Sequence, residues 1–144
     1  MVIKALAKRP QRKQMKLRIK GDSLRLRVSP SEMSRLLVSG RIEETIRFGP
    51  GRDAKLTYAL STNSGDLAPG AVMTIQYQAQ EVVVTIDATQ ARAWAEGTEV
   101  GFYANINTGG GQLEVAVEKD FACLDKTEPE NHDTFPHPKQ GNLC

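Results

Sequence analysis

The strongest constraint on the fold is a pattern that occurs twice, 58 residues apart. In MKLRIK (15–20), Leu17 and Ile19 face one way while Lys16, Arg18 and Lys20 face the other. SLRLRV (23–28) repeats this with Leu24, Leu26 and Val28 inward and Arg25 and Arg27 outward. A period of two marks a half-buried strand, and Gly21-Asp22 supplies the turn between the two. In SPSEMSRLLVSG (29–40), Ser29 can cap a helix, Pro30 suits its first position and Glu32 completes a capping box. Met33, Leu36 and Leu37 share one helical face and Gly40 ends it. RIEETIRF (41–48) and AKLTYAL (54–60) then read as strands around the turn GPGRD.

Adding 58 to each number recovers the same order of strand, strand, helix, strand, strand. Leu17 and Ile19 become Ile75 and Tyr77, and Leu24, Leu26 and Val28 become Val82, Val84 and Ile86. The cap pair Ser29 and Glu32 becomes Asp87 and Gln90, and the helix face becomes Ala91, Trp94 and Ala95. Ile42, Ile46 and Phe48 become Val100, Ala104 and Ile106. After a one-residue slip, Leu56, Tyr58 and Leu60 correspond to Leu113, Val115 and Val117. Each half, four strands and one short helix, is too small to bury a core alone. The expected fold is therefore α+β: a duplicated ββαββ unit whose eight mostly antiparallel strands form a barrel or two packed sheets with two short helices.

This predicts one globular domain over 15–120, with halves 15–60 and 71–120 joined by STNSGDLAPG (61–70). Residues 1–14 read as a disordered basic extension, and 121–144 as an irregular tail containing Cys, His and Pro. At 40% hydrophobic and 25% charged residues the composition is that of an ordinary globular protein. No run of 18 apolar residues occurs in the sequence, which excludes a helical membrane span. The N-terminus lacks the apolar stretch of a secretory signal, so the expected location is cytoplasmic.

Charge is unevenly placed. Residues 1–27 carry ten Lys or Arg against one acid, Asp22, while 118–144 carry six acids against three bases. Lys16, Arg18, Lys20, Arg25 and Arg27 would share one face of two paired strands, where like charges repel unless acids or anions offset them. These five are the candidate contact residues for a protein or other anionic partner. Nucleic acid is disfavoured because the stretch has no aromatic residues on which bases could stack. Arg41, Arg47, Glu43 or Glu114 could neutralise the face instead.

Catalytic motifs are not evident, so the chain reads as non-catalytic. The loops GPGRD (49–53) and NTGGGQ (107–112) join strand to strand and lack the following helix of a phosphate-cradling loop. No G-x-S-x-G occurs. EVAVEKD (114–120) misses the acid spacing typical of strand-lined triphosphate tunnels. In the tail, Cys123, His132, His137 and Cys144 match zinc by ligand type and number, but the spacing is loose and no C-x2–4-C knuckle exists. Zinc, a disulfide between Cys123 and Cys144, and a docked extension held by Phe121, Leu124 and Phe135 all remain open readings of the tail. No cofactor is the expectation, with zinc as the alternative.

MKLRIKGDSLRLRVSPSEM, LTYAL and EKDFACL followed by FPHP resemble a bacterial family of unknown function, over about residues 15–138. The resemblance implies no activity. It implies that the natural start lies near Met15 and that the motif from Asp120 to Pro138 is a family feature. His132 departs from the family's more acidic pattern before FP, which weakens a four-ligand zinc site. The functional expectation is a small bacterial binding or accessory protein, with a metal-binding protein and an anionic-ligand-binding barrel as alternatives.

Overall fold

The computed structural model describes residues 14–65, 67, 70–122 and 133–136. Among them run β1 (Lys16–Ile19), β2 (Ser23–Val28), α1 (Pro30–Ser39), β3 (Arg41–Arg47), β4 (Lys55–Asn63), β5 (Met73–Gln78), β6 (Glu81–Asp87), α2 (Ala88–Glu96), β7 (Gly101–Asn107) and β8 (Gln112–Lys119). Only Gln14 of the expected basic extension lies inside the described residues.

The fold is α+β, but the strands do not close into a barrel. They form two four-stranded mixed sheets, β1-β2-β8-β7 and β3-β4-β6-β5. A hairpin from one half pairs with a hairpin from the other. The inner neighbours β2 and β8, and β4 and β6, run parallel; the remaining neighbours are antiparallel. Each sheet thus ends on outer strands that are not paired to the other sheet, and the barrel alternative falls.

The pairing registers of the two sheets are related by simple shifts. Leu17 faces Leu26, and Ile75 faces Val84 (17 + 58 = 75; 26 + 58 = 84). Leu24 lies beside Val115, and Val82 beside Tyr58 (24 + 58 = 82; 58 + 57 = 115). Leu60 faces Ile42, and Val117 faces Phe102 (60 + 57 = 117; 42 + 60 = 102). The counterparts of Ile42, Glu44 and Ile46 are therefore Phe102, Ala104 and Ile106, not the set that a constant shift of 58 gives. The link after α2 is longer by two residues (60 − 58 = 2), and the β7–β8 turn is shorter by three (60 − 57 = 3).

Local chemistry explains the helix ends. The Ser29 N–H donates to Glu32 Oε1 at 3.0 Å and the Glu32 N–H donates to Ser29 Oγ at 3.3 Å, a complete capping box. Gly40, at φ 81°, closes α1 in the left-handed region, and its N–H donates to Leu36 O at 2.8 Å. At α2, Asp87 accepts from the Gln90 N–H at 3.0 Å.

The inward faces of both sheets join Met33, Leu36, Ala91 and Trp94 from the helices in one buried cluster. Burial fades toward the hairpin turns. Val28, Leu26 and Leu24 are 0, 1 and 9% exposed, whereas Ile19 and Tyr77, at the far ends of β1 and β5, are 61 and 67% exposed. The alternation holds to the strand ends, but the core does not reach that far. Past β8, Phe121 and Phe135 form a β-bridge with rings 6.2 Å apart, and Phe135 packs on the core. Asp133 accepts from the Ser31 N–H at 3.1 Å and from the Ser31 hydroxyl, tying this segment to the first turn of α1. Among the described residues no helix is long and apolar enough to cross a membrane.

Candidate functional site

The β1–β2 register sets Lys16 opposite Arg27 and Arg18 opposite Arg25. The alternation places all four on the outer face of the first sheet, with Lys20 just beyond the end of β1. Like charges directly opposite each other are unfavourable in a sheet. The offset comes from β8 and the residue after it. Lys16 Nζ lies 3.1 Å from Asp120 Oδ2, and Arg25 Nε lies 3.4 Å from Glu118 Oε1. Tyr103, from β7, donates its hydroxyl to Glu118 Oε2 at 2.6 Å. Desolvation, and then this bond, push the Tyr103 phenol up to about 12, so it remains a donor.

Arg18, Lys20 and Arg27 form no ion pair with a carboxylate among the described residues. Beside them a shallow depression of about 420 Å³ crosses the sheet, lined by Ser23, Arg25, Tyr103, Asn105, Glu114 and Ala116. It adjoins a second one at Lys20, Asp22 and Gln112. The face can hold anionic groups at its cationic edge and hydrogen-bonding groups over Ala116.

Of the four residues the sequence offered, Glu114 lies on this face, opposite Ser23, and the other three do not. Arg41 and Glu43 belong to the other sheet, where Arg41 pairs with Glu43 at 2.9 Å and Glu81 at 3.1 Å. Glu118, Asp120 and Tyr103 are the residues that sequence reasoning missed. Strand alternation put Glu118 on an outward face, but nothing local indicates that β8 lies parallel to β2. Cys123, His132, His137 and Cys144 all lie outside the described residues.

A two-sheet α+β protein whose first sheet gathers four opposed cations on its outer face is what the fold and this site define. The chain belongs to a family of unknown function, DUF7009, whose profile matches residues 15–139. No curated protein and no solved structure matches the chain.

Proposed function

We propose that this chain is a non-catalytic binding protein built from a duplicated ββαββ unit, and that it engages an acidic protein segment on the outer face of its first sheet. A comparison between the two sheets carries this reading. The positions that correspond to Lys16, Arg18, Lys20, Arg25 and Arg27 through the shift of 58 are Thr74, Gln76, Gln78, Val83 and Thr85. The second sheet is built with no charge at any of them. Five cations are therefore not a requirement of the architecture, and their mutual repulsion has to be offset. Glu114 and Glu118 on the same face make it mixed in sign. That suits a protein segment carrying acids among neutral polar groups better than a uniform polyphosphate.

The duplicated unit is supported by the shared registers, the matching caps at Ser29 and Asp87, and the matching buried faces of the two helices. On this reading 15–120 is one domain, with halves at 15–60 and 71–120.

The test uses an oligoglutamate peptide and the triple variant Arg18→Gln, Lys20→Gln, Arg27→Gln. These three make no ion pair with a carboxylate among the described residues, so melting should stay near the wild type, surface changes being worth about ±0.5 kcal/mol. Calorimetry should show saturable binding by the wild type that weakens with salt. At roughly 0.5 kcal/mol per exposed charge pair, the variant should bind about tenfold more weakly. Equal affinity in the two proteins, or no saturable binding by the wild type, rejects the proposal.

A further inference from the structure

The basic face ends in a free strand edge. The Lys20 N–H donates to the Ser23 carbonyl and the Ser23 N–H to the Lys20 carbonyl, each at 3.1 Å. That mutual pair fixes the phase of β1, because alternate residues of an antiparallel strand bond toward its partner. Arg18 lies opposite Arg25 and Lys16 opposite Arg27, so Lys16, Arg18 and Lys20 aim their backbone groups at β2. Met15, Leu17 and Ile19 aim theirs away from it. At Met15 the N–H donates to Glu44 Oε2 at 3.4 Å and the carbonyl accepts from the Tyr58 hydroxyl at 2.7 Å. Beyond that residue the edge is open. Among the described residues no group meets the outward N–H and C=O of Leu17 or Ile19. Ile19, on the core side of the strand, is 61% exposed beside this edge.

The outer strands of the two sheets differ in the side chains that flank their edges. In β1 and the residue after it, those on the outer face are all cations. The same places in β5 hold Thr74, Gln76 and Gln78, while β3 mixes Glu43 with Arg41 and Arg47. Cations on an edge guard it against pairing with a copy of itself. A second chain joined along its own β1 would bring Lys16 and Arg18 against the same cations, which repel across strands. A strand with acids at alternate positions meets no such barrier. Arg18 and Lys20, two residues apart, form no ion pair with a carboxylate among the described residues.

We propose that the free edge of β1 takes up an acidic segment as an added antiparallel strand in which acidic and apolar residues alternate. This rests on the first sheet binding an acidic segment, as proposed above, and specifies the segment's conformation and pattern. Its residues opposite Leu17 and Ile19 exchange backbone hydrogen bonds with them. Their side chains fall on the core side, where an apolar group covers Ile19. The residue between them forms a non-hydrogen-bonded pair with Arg18, the arrangement in which facing side chains are closest. An acid there meets the guanidinium, and another two positions along meets Lys20.

The test is NMR titration of the isotopically labelled full chain with the peptide Asp-Val-Asp-Val-Asp, which matches the edge from Lys20 back to Lys16. The Leu17 and Ile19 amide protons should move downfield and gain protection from exchange. Those of Ile75 and Tyr77, their counterparts on β5, should stay still. N-methylation of both valines removes the donors to β1 and should weaken binding about tenfold or more. N-methylation of the central aspartate, whose N–H points away from β1, should leave the affinity unchanged. Undiminished binding by the valine-methylated peptide, or an equal loss from the methylated aspartate, overturns the added strand. If oligoglutamate still binds saturably in that case, the acid-binding face stands without it. No saturable binding of either peptide overturns both.

Discussion

Trp94→Ala is expected to cost about 3–5 kcal/mol, the range for emptying a large aromatic site in a core. α2 is only nine residues long, and its buried side chains are Ala91 and Trp94. Trp94 is therefore the anchor that holds this helix to the body. Its ring meets Phe102 edge-on, with centroids 5.2 Å apart at 69°, and its indole N–H donates to the Val100 carbonyl at 3.0 Å. Alanine removes the ring contact, leaves a cavity beside Phe102 and takes away one of the two donors to Val100 O, the Lys119 N–H remaining at 3.0 Å. Against a total stability of about 5–15 kcal/mol, such a loss is a large fraction. Urea unfolding followed by far-UV circular dichroism measures it, since the variant has no tryptophan left to fluoresce. Trp94→Phe should retain most of the stability, losing the hydrogen bond and part of the ring. A loss below about 1 kcal/mol in the alanine variant, within the range of ordinary substitutions, would mean that α2 is not held as described.

Gly101→Ala should be as damaging for a different reason. A Cβ placed at Gly101 would lie 2.0 Å from the Val117 carbonyl oxygen and 2.9 Å from the Glu118 Cα. The obstacles are backbone atoms of the strand to which β7 is paired, so no side-chain rotation relieves them. Insertion of one methyl group should exceed the ~1–3 kcal/mol usual for overpacking. The structural counterpart is Arg41 (41 + 60 = 101), an ordinary strand residue facing Ser61. Replacing Arg41 by alanine is a useful contrast, because it tests the equivalent place without the collision. Chemical denaturation should separate the two variants clearly. Equal, small losses in both would show that β7 does not approach β8 as closely as the structure places it.

Much of this architecture was legible because it is written in local chemistry. Alternation gave β2 residue for residue, and Ser29, Glu32 and Gly40 gave α1 with its cap and stop. What stayed hidden depends on partners distant in sequence. That β2 runs beside β8, more than eighty residues away, follows from the packing of two halves. This decides which acids meet the basic face, so Glu118 and Asp120 could not be named from the hairpin alone. Glu44 was hidden for a similar reason. It reads in sequence as one of two adjacent strand acids; only the three-dimensional register sets it opposite Tyr58, where it accepts from the Met15 N–H. The shift from 58 to 60 at β7 escaped because Val100 and Phe102 are both apolar and lie in the same strand phase, so the pattern could not tell them apart. The tail's Cys and His side chains lie outside the described residues, and its described part is held by Phe121, Asp133 and Phe135.

The central claim, that one of two similarly built sheets has been specialised to bind acids, is tested most directly by titrating isotopically labelled protein with oligoglutamate and following each backbone amide by NMR. The predicted result is that saturable shifts concentrate in β1, β2 and β8, around Arg18, Lys20 and Arg27, while Thr74, Gln76 and Thr85 stay still. Shifts spread equally over both sheets, or centred on the second, would contradict it.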